Sequence, residues 1–228
     1  MSSWIEVADG VHARRYAELD QTLGLVVGER RCLVVDTGLD EAHGAEFAAA
    51  IRELTDLPWT VVITHAHFDH YLGTAAFGDV PVYAHPGCAV AMREDVRPEW
   101  ARRYREQGKP EIADRIAVAR VVPPTHEVPD RVELDLGGRR VTLLHPGPAH
   151  TDHDVAVHVP DAGVVFAGDL VEQGAPPSVG PDAHPARWPG ALDVLLALRP
   201  TTVVPGHGEP VDPRFVAAQR DELSAGST

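Results

Sequence analysis

Thr64-His65-Ala66-His67-Phe68-Asp69-His70 is the stretch on which the reading of this 228-residue chain turns. It closes the β-branched run Trp59–Thr64, which is too short for a helix and reads as a buried strand. Side chains alternate along a strand, so His65 and His67, two apart, project to one side, and Ala66 between them adds no bulk. Asp69 and His70 follow where the chain turns into a helix, so both can reach back to the same cavity. Three imidazoles and a carboxylate within one short segment suit Zn²⁺ or another borderline divalent ion.

The composition around this segment narrows the classes of protein it can belong to. The chain has 34 Asp and Glu against 20 Lys and Arg, a formal charge of −14, with 13 histidines and two cysteines. A hydrophobic share of 44% with 24% charged residues is globular rather than disordered. No apolar run approaches the roughly 18 residues of a membrane span, and the opening MSSWIEVADG lacks a basic-then-apolar leader. Cys32 and Cys88 cannot make a disulfide framework and read as reduced thiols, so the expected location is cytoplasmic. An acidic balance without a basic arm argues against nucleic acid as partner. A small-molecule substrate is expected, and the oligomeric state is left open.

Outward from the histidine segment the chain alternates strands and helices without a linker. Leu23–Val27 and Cys32–Val35 read as a hairpin, and Asp40 caps a helix to about Leu54. Val80–Ala84 reads as a strand. Residues 87–118 turn helical, rich in Arg and Glu, with interruptions at Pro98 and Pro110; this insert could form a lid. Trp100 within it is expected on the buried face of a solvated helix rather than against substrate. Strands return at Arg131–Leu136 and Arg139–Leu144 around Gly137-Gly138, then at Val155–Val159 and Val164–Ala167. A Gly/Pro/Ser loop over Glu172–Pro185, a helix over Trp188–Leu198, a strand over Thr201–Val204 and a helix over Pro213–Leu223 complete the chain. Strands with peripheral helices in both halves favour two sheets covered by helices over one doubly wound sheet.

The chain resembles the metallo-β-lactamase-fold hydrolases, and the resemblance runs through nearly all of it. Asp36 in Val34-Val35-Asp36-Thr37-Gly38 matches the first family motif, and His65, His67, Asp69 and His70 match the second. Gly147-Pro148-Ala149-His150-Thr151 matches the third, Phe166-Ala167-Gly168-Asp169 the fourth, and Pro205-Gly206-His207-Gly208 the fifth. The resemblance implies one domain over residues 1–228, folded as a four-layer αβ/βα sandwich of two mixed sheets flanked by helices. It also implies two divalent ions, zinc foremost with Fe or Mn as alternatives, bridged by a hydroxide. Carried over by position, His65, His67 and His150 hold one ion, Asp69, His70 and His207 the other, and Asp169 bridges them. Asp36 and Thr151 would orient ligands or their loops, and His153 and His184 are candidates for lining the substrate pocket.

Neither cysteine matches a ligand motif, and Asp169 stands where the thiolate-bearing lactamase class has Cys. That all-nitrogen-and-oxygen set is shared by lactonases, glyoxalase II-type thioesterases and phosphodiesterases. The implied activity is hydrolysis of a small ester, thioester, lactone or lactam. The alternatives are a phosphodiesterase and a mono-iron persulfide-dioxygenase-like oxidoreductase, the latter leaving His70 and His207 without a role.

Overall fold

The computed structural model describes residues 3–226. A seven-stranded sheet runs in sequence order: β1 (Ser3–Ala8), β2 (Val11–Arg15), β3 (Thr22–Val27), β4 (Cys32–Val35), β5 (Trp59–Val62), β6 (Val82–Ala84) and β7 (His126–Glu127). Its first four strands pair antiparallel, and β4 to β7 pair parallel. The second sheet is ordered β12 (Thr202–His207), β11 (Val164–Glu172), β10 (Ala156–Val159), β9 (Arg140–Leu144) and β8 (Arg131–Asp135). Here β11 and β12 are parallel and the other neighbours antiparallel, so both sheets are mixed.

Alternation along the strands sorts the side chains into three cores. In β4, Leu33 and Val35 face the second sheet, whereas Cys32 and Val34 face helix α1 (Glu41–Arg52), which contributes Phe47 and Ile51. In β11, Val164 and Phe166 join the core between the sheets. Val165 and Ala167 instead pack beneath α6 (Trp188–Ala197) and α7 (Pro213–Gly226), against Trp188, Leu192, Leu195 and Val216. The result is helix, sheet, sheet, helix: the four-layer sandwich expected. Gly24 is required where the sheets press closest, because a Cβ there would lie 2.4 Å from Phe166 Cε1.

The hairpin at Leu23–Val27 and Cys32–Val35 and the strand pair around Gly137-Gly138 stand where their turn residues put them. The helical stretch after His85 is three helices, α3 (Pro86–Ala91), α4 (Arg97–Glu106) and α5 (Pro110–Val118); Pro98 and Pro110 sit in the first turns of the latter two rather than breaking one long helix. Strands β11 and β12 run past the expected ends, to Glu172 and His207, and α1 stops at Arg52. The β1–β2 hairpin was not legible, since Arg14 is buried there through an ion pair with Glu46 and breaks the apolar alternation. A one-turn helix α2 (Phe68–Tyr71) follows β5. No helix among the described residues is long and apolar enough to cross a membrane.

Candidate metal centre

The C-terminal ends of β4, β5, β11 and β12 meet at one edge of the sandwich, where parallel strands leave room for a ligand. Beyond β4 the backbone of Asp36 turns left-handed, with φ 60°, a conformation aspartate tolerates better than most residues. Its buried carboxylate accepts hydrogen bonds from Thr64 N at 2.7 Å and Thr64 Oγ1 at 2.7 Å, and meets His70 Nδ1 at 2.8 Å. The short helix α2 begins just after His67 and turns Asp69 and His70 back over the strand end.

The hydrogen bonds decide which ring nitrogen each imidazole leaves bare. The Thr64 hydroxyl donates its one O–H to Asp36, so toward His65 Nδ1, 3.1 Å away, it accepts, and His65 Nε2 keeps a lone pair. His207 Nδ1 donates to the Leu19 carbonyl at 2.8 Å, and His150 Nδ1 to the Ser178 carbonyl at 3.1 Å. His70 is held the same way by Asp36. His67 is reversed: its Nε2 meets Asp182 Oδ2 at 3.0 Å, leaving Nδ1 inward, 2.9 Å from His150 Nε2. Two imidazole lone pairs at that distance repel unless a proton or a cation lies with them.

These donor atoms fall into two groups, each with all its atoms within 4.8 Å of one another: His65, His67, His150 and Asp169, and Asp69, His70 and His207. Asp169 stands between them, its oxygens 3.6 Å from His150 Nε2, 3.3 Å from His70 Nε2 and 3.3 Å from His207 Nε2. His65 Nε2, His70 Nε2 and Asp169 Oδ1 are buried with no hydrogen-bond partner, a costly state for a polar atom that nothing coordinates. The cluster also demands positive charge. Burial alone would lower His207, but the carboxylates of Asp169 and Asp69 overcome it and push its pKa up to about 12. Burial opposes the ionised form of Asp169 as well, yet the imidazoles of His207, His70 and His65 hold it well below the usual carboxylate range. Divalent ions meet the same demand, with protons released as they bind. The residues present therefore fit a metal. Both cysteines lie in the core on the helix side of the first sheet, away from the donors.

Thr151 braces the loop that carries His150, its N and Oγ1 both donating to the buried Asp154 at 2.8 Å. His153 and His184 stand apart from the cleft. His153 Nε2 accepts from Ala66 N at 3.2 Å, supporting the backbone between the two histidines, and His184 N donates to the Ala149 carbonyl at 2.7 Å on the approach to α6. Sequence reasoning missed Asp182 and Gln21. Gln21, fully buried, donates through Nε2 to the Asp69 carbonyl, lies 3.4 Å from Asp69 Oδ2, and bridges by its backbone to His207. Leu19 was missed too; with φ 59° it is held in a strained conformation that aims its carbonyl at His207. Each acts across a long sequence separation, so no local pattern announces it.

A cleft of about 710 Å³ opens over the cluster, lined by His67, Asp69, Asp169 and His207 at its base. One wall is the helical insert: Trp100 of α4 stacks on Phe68, with ring centroids 4.0 Å apart and planes 22° from parallel. Trp100 is thus half-buried and faces the cleft at once, a role the expected solvated helix did not include. The Gly/Pro/Ser loop after β11 supplies the opposite side with Ser178, Pro181 and Asp182.

Residues 18–207 match the family model described as the metallo-beta-lactamase superfamily. Among similar proteins, "Acyl-coenzyme A thioesterase MBLAC2" of Bos taurus is 28% identical over 199 residues, covering 80% of this chain and 71% of that protein. "Metallo-beta-lactamase type 2" of Bacillus cereus is 26% identical over 198 residues, covering 82% and 66%. "Linear primary-alkylsulfatase" of Pseudomonas sp. (strain ATCC 19151) is 25% identical over 214 residues, but only 40% of its length is matched. The solved metallo-beta-lactamase from Pontibacter korlensis superposes with a TM-score of 0.74 at 21% identity, over 98% of this chain and 99% of that one, and shares the fold. With a match over most of its length, two mixed sheets and metal-competent loops on one edge, this chain belongs to the metallo-β-lactamase superfamily and is a metal-dependent hydrolase.

Proposed function

We propose that the chain is a one-domain, dinuclear, zinc-dependent hydrolase of a small ester, thioester, lactone or lactam. The observation that carries this is the convergence of seven donor side chains in two adjoining groups, three of their atoms buried and without a hydrogen-bond partner. His65, His67 and His150 would hold one ion, Asp69, His70 and His207 the other, and Asp169 would serve both. Ions bound there would supply Lewis acidity toward a carbonyl oxygen and make water acidic enough to deprotonate near neutral pH.

The chain's own residues do the positioning. Asp36, the Leu19 and Ser178 carbonyls and Asp182 fix the tautomer and the plane of the imidazoles, as outer partners of ligands do. Gln21 anchors the backbone of Asp69. The cleft over them has the size of a small-molecule site. Relatives named thioesterase and β-lactamase support a carbonyl-centred reaction. Two buried unpaired cysteines suit a reducing compartment such as the cytoplasm.

The test is metal content with turnover. Protein prepared in excess zinc is expected to carry two equivalents and to hydrolyse at least one substrate in a panel of these bond types. His65→Ala and Asp69→Ala are each expected to lower turnover by about a thousandfold or more in a folded chain. A single equivalent of iron with oxygen uptake on a persulfide, or full activity in either variant, would overturn the proposal.

A further inference from the structure

We infer that the cleft selects acyl substrates whose two ends are apolar, uncharged or cationic, and turns away those built on a polyanionic carrier; this rests on the hydrolase reading above. The charge around the opening carries the inference. Four exposed carboxylates line it, Asp20, Glu94, Glu99 and Asp182, while Arg103 is the sole Lys or Arg among the described residues that do. Arg103 is already engaged, bonded to Glu99 at 2.5 Å with its guanidinium carbon 4.8 Å from the Trp100 ring centre. Asp20 is matched by Arg15 and Asp182 by its contact with His67, whereas the Glu94 carboxylate has no ion-pair or hydrogen-bond partner among the described residues. The entire chain carries −14.

A chain of phosphates is recognised by clustered, available cations, and this opening provides none. The residues proposed to hold metal, His67, Asp69, Asp169 and His207, lie at the base of the same cleft, so a substrate reaches them past an acidic mouth. The Trp100–Phe68 stack beside that path offers an apolar face for an acyl group.

The experiment compares one acyl group carried on coenzyme A and on N-acetylcysteamine, using the metal-loaded full chain. Expected are a kcat/KM for the short carrier about tenfold or more above that for coenzyme A at low salt, and a gap that narrows as salt screens the repulsion. Glu94→Lys is expected to narrow it further, by several-fold, and Trp100→Ala to raise KM for long or aromatic acyl groups more than for acetyl. Non-hydrolysable ketone analogues of both thioesters, titrated by tryptophan fluorescence, should bind in the same order. A preference for coenzyme A, or a ratio indifferent to salt and to Glu94→Lys, overturns the inference. Absence of turnover on every substrate would count against the hydrolase reading instead, and the binding order of the analogues would still decide the charge selectivity.

Discussion

Exchange of Asp36 for Asn separates what this residue does for the fold from what it does for the metal centre. Asparagine has the same shape and tolerates the left-handed backbone at φ 60°, so the turn after β4 is kept. Its oxygen can still accept from Thr64 N, but an NH₂ group now faces His70 Nδ1 where a carboxylate oxygen stood at 2.8 Å. Two donors cannot bond each other, so His70 must move its proton to Nε2, the atom that points at Asp69 and Asp169. The Thr64 hydroxyl reverses to accept from the new NH₂ and turns its proton toward His65 Nδ1, pushing that ring the same way.

A metal then has to displace the wrong tautomer, and losing an outer partner of this kind weakens metal binding by about 10–100-fold, or about 1.4–2.7 kcal/mol. The fold loses less, about 1–2 kcal/mol for the altered hydrogen bonds, a drop in Tm of about 2–8 °C for a chain of this size. Zinc affinity measured by competition with a chelator, thermal unfolding of the metal-free protein, and ¹⁵N chemical shifts of the His70 ring would read the three quantities. Wild-type zinc affinity together with an unchanged His70 tautomer would refute the reasoning.

Three further outcomes follow from the geometry. Gln21→Leu leaves the buried Asp69 carbonyl without its donor, which should cost about 1–3 kcal/mol of stability; if two ions bind as proposed, the one assigned to Asp69, His70 and His207 should leave first in a chelator titration, and metal loss unaltered from wild type would reduce Gln21 to a packing role. Gly206→Ala places a Cβ 2.0 Å from Asp169 Oδ1; the carboxylate must swing away, and metal affinity should fall at least about tenfold, whereas a crystal structure with Asp169 unmoved would contradict this. Burial raises the Asp154 carboxyl to about 7, against the hydrogen bonds from Thr151 that favour its ionised form. The folded chain therefore holds a proton there that the unfolded chain releases near pH 4, so this group's contribution to stability is lost as pH rises from about 4 to about 7. Asp154→Asn should remove a slope totalling about 4 kcal/mol from the difference between variant and wild type in denaturant unfolding across that window, and parallel curves would disprove it.

How much of this was legible in the sequence depends on distance along the chain. His65, His67, Asp69 and His70 are compact, and strand alternation followed by a helical turn predicted their common direction; β5 ends at Val62, however, so His65 and His67 lie in the bend beyond it and it is their nearness in sequence that brings them together. His150, Asp169 and His207 carry no such local signal and were read only through the order of motifs in a known family. The structure brings all seven into the two groups. Asp182 and Gln21 escaped because they lie 115 and 48 positions from the residues they hold, and nothing in Pro181-Asp182-Ala183 differs from an ordinary polar loop. His153 was singled out for nearness in sequence to His150 and His184 for its place in the Glu172–Pro185 loop; neither lines the cleft, and the His153 ring accepts from the Ala66 backbone instead. The β1–β2 hairpin was hidden for another reason: Arg14, a residue type that advertises surface, is buried against Glu46 and Trp4. The insert's interruptions at Pro98 and Pro110 were legible, and the structure adds that each proline sits in the first turn of the helix that follows the break.

The distribution of donors over two sheets has a consequence for how the protein matures. His65 to His70 belong to the first sheet's edge, whereas Asp169 and His207 ride on β11 and β12 of the second. Neither sheet alone presents a complete group, because Asp69 and His70 need His207, and His65 and His67 need His150 and Asp169. A growing chain therefore cannot take up its metal until its last strand has been made and has docked. Ions bound as proposed would be captured late and would act as a clasp across the seam between the halves. Loss of metal should loosen that seam before it loosens either sheet.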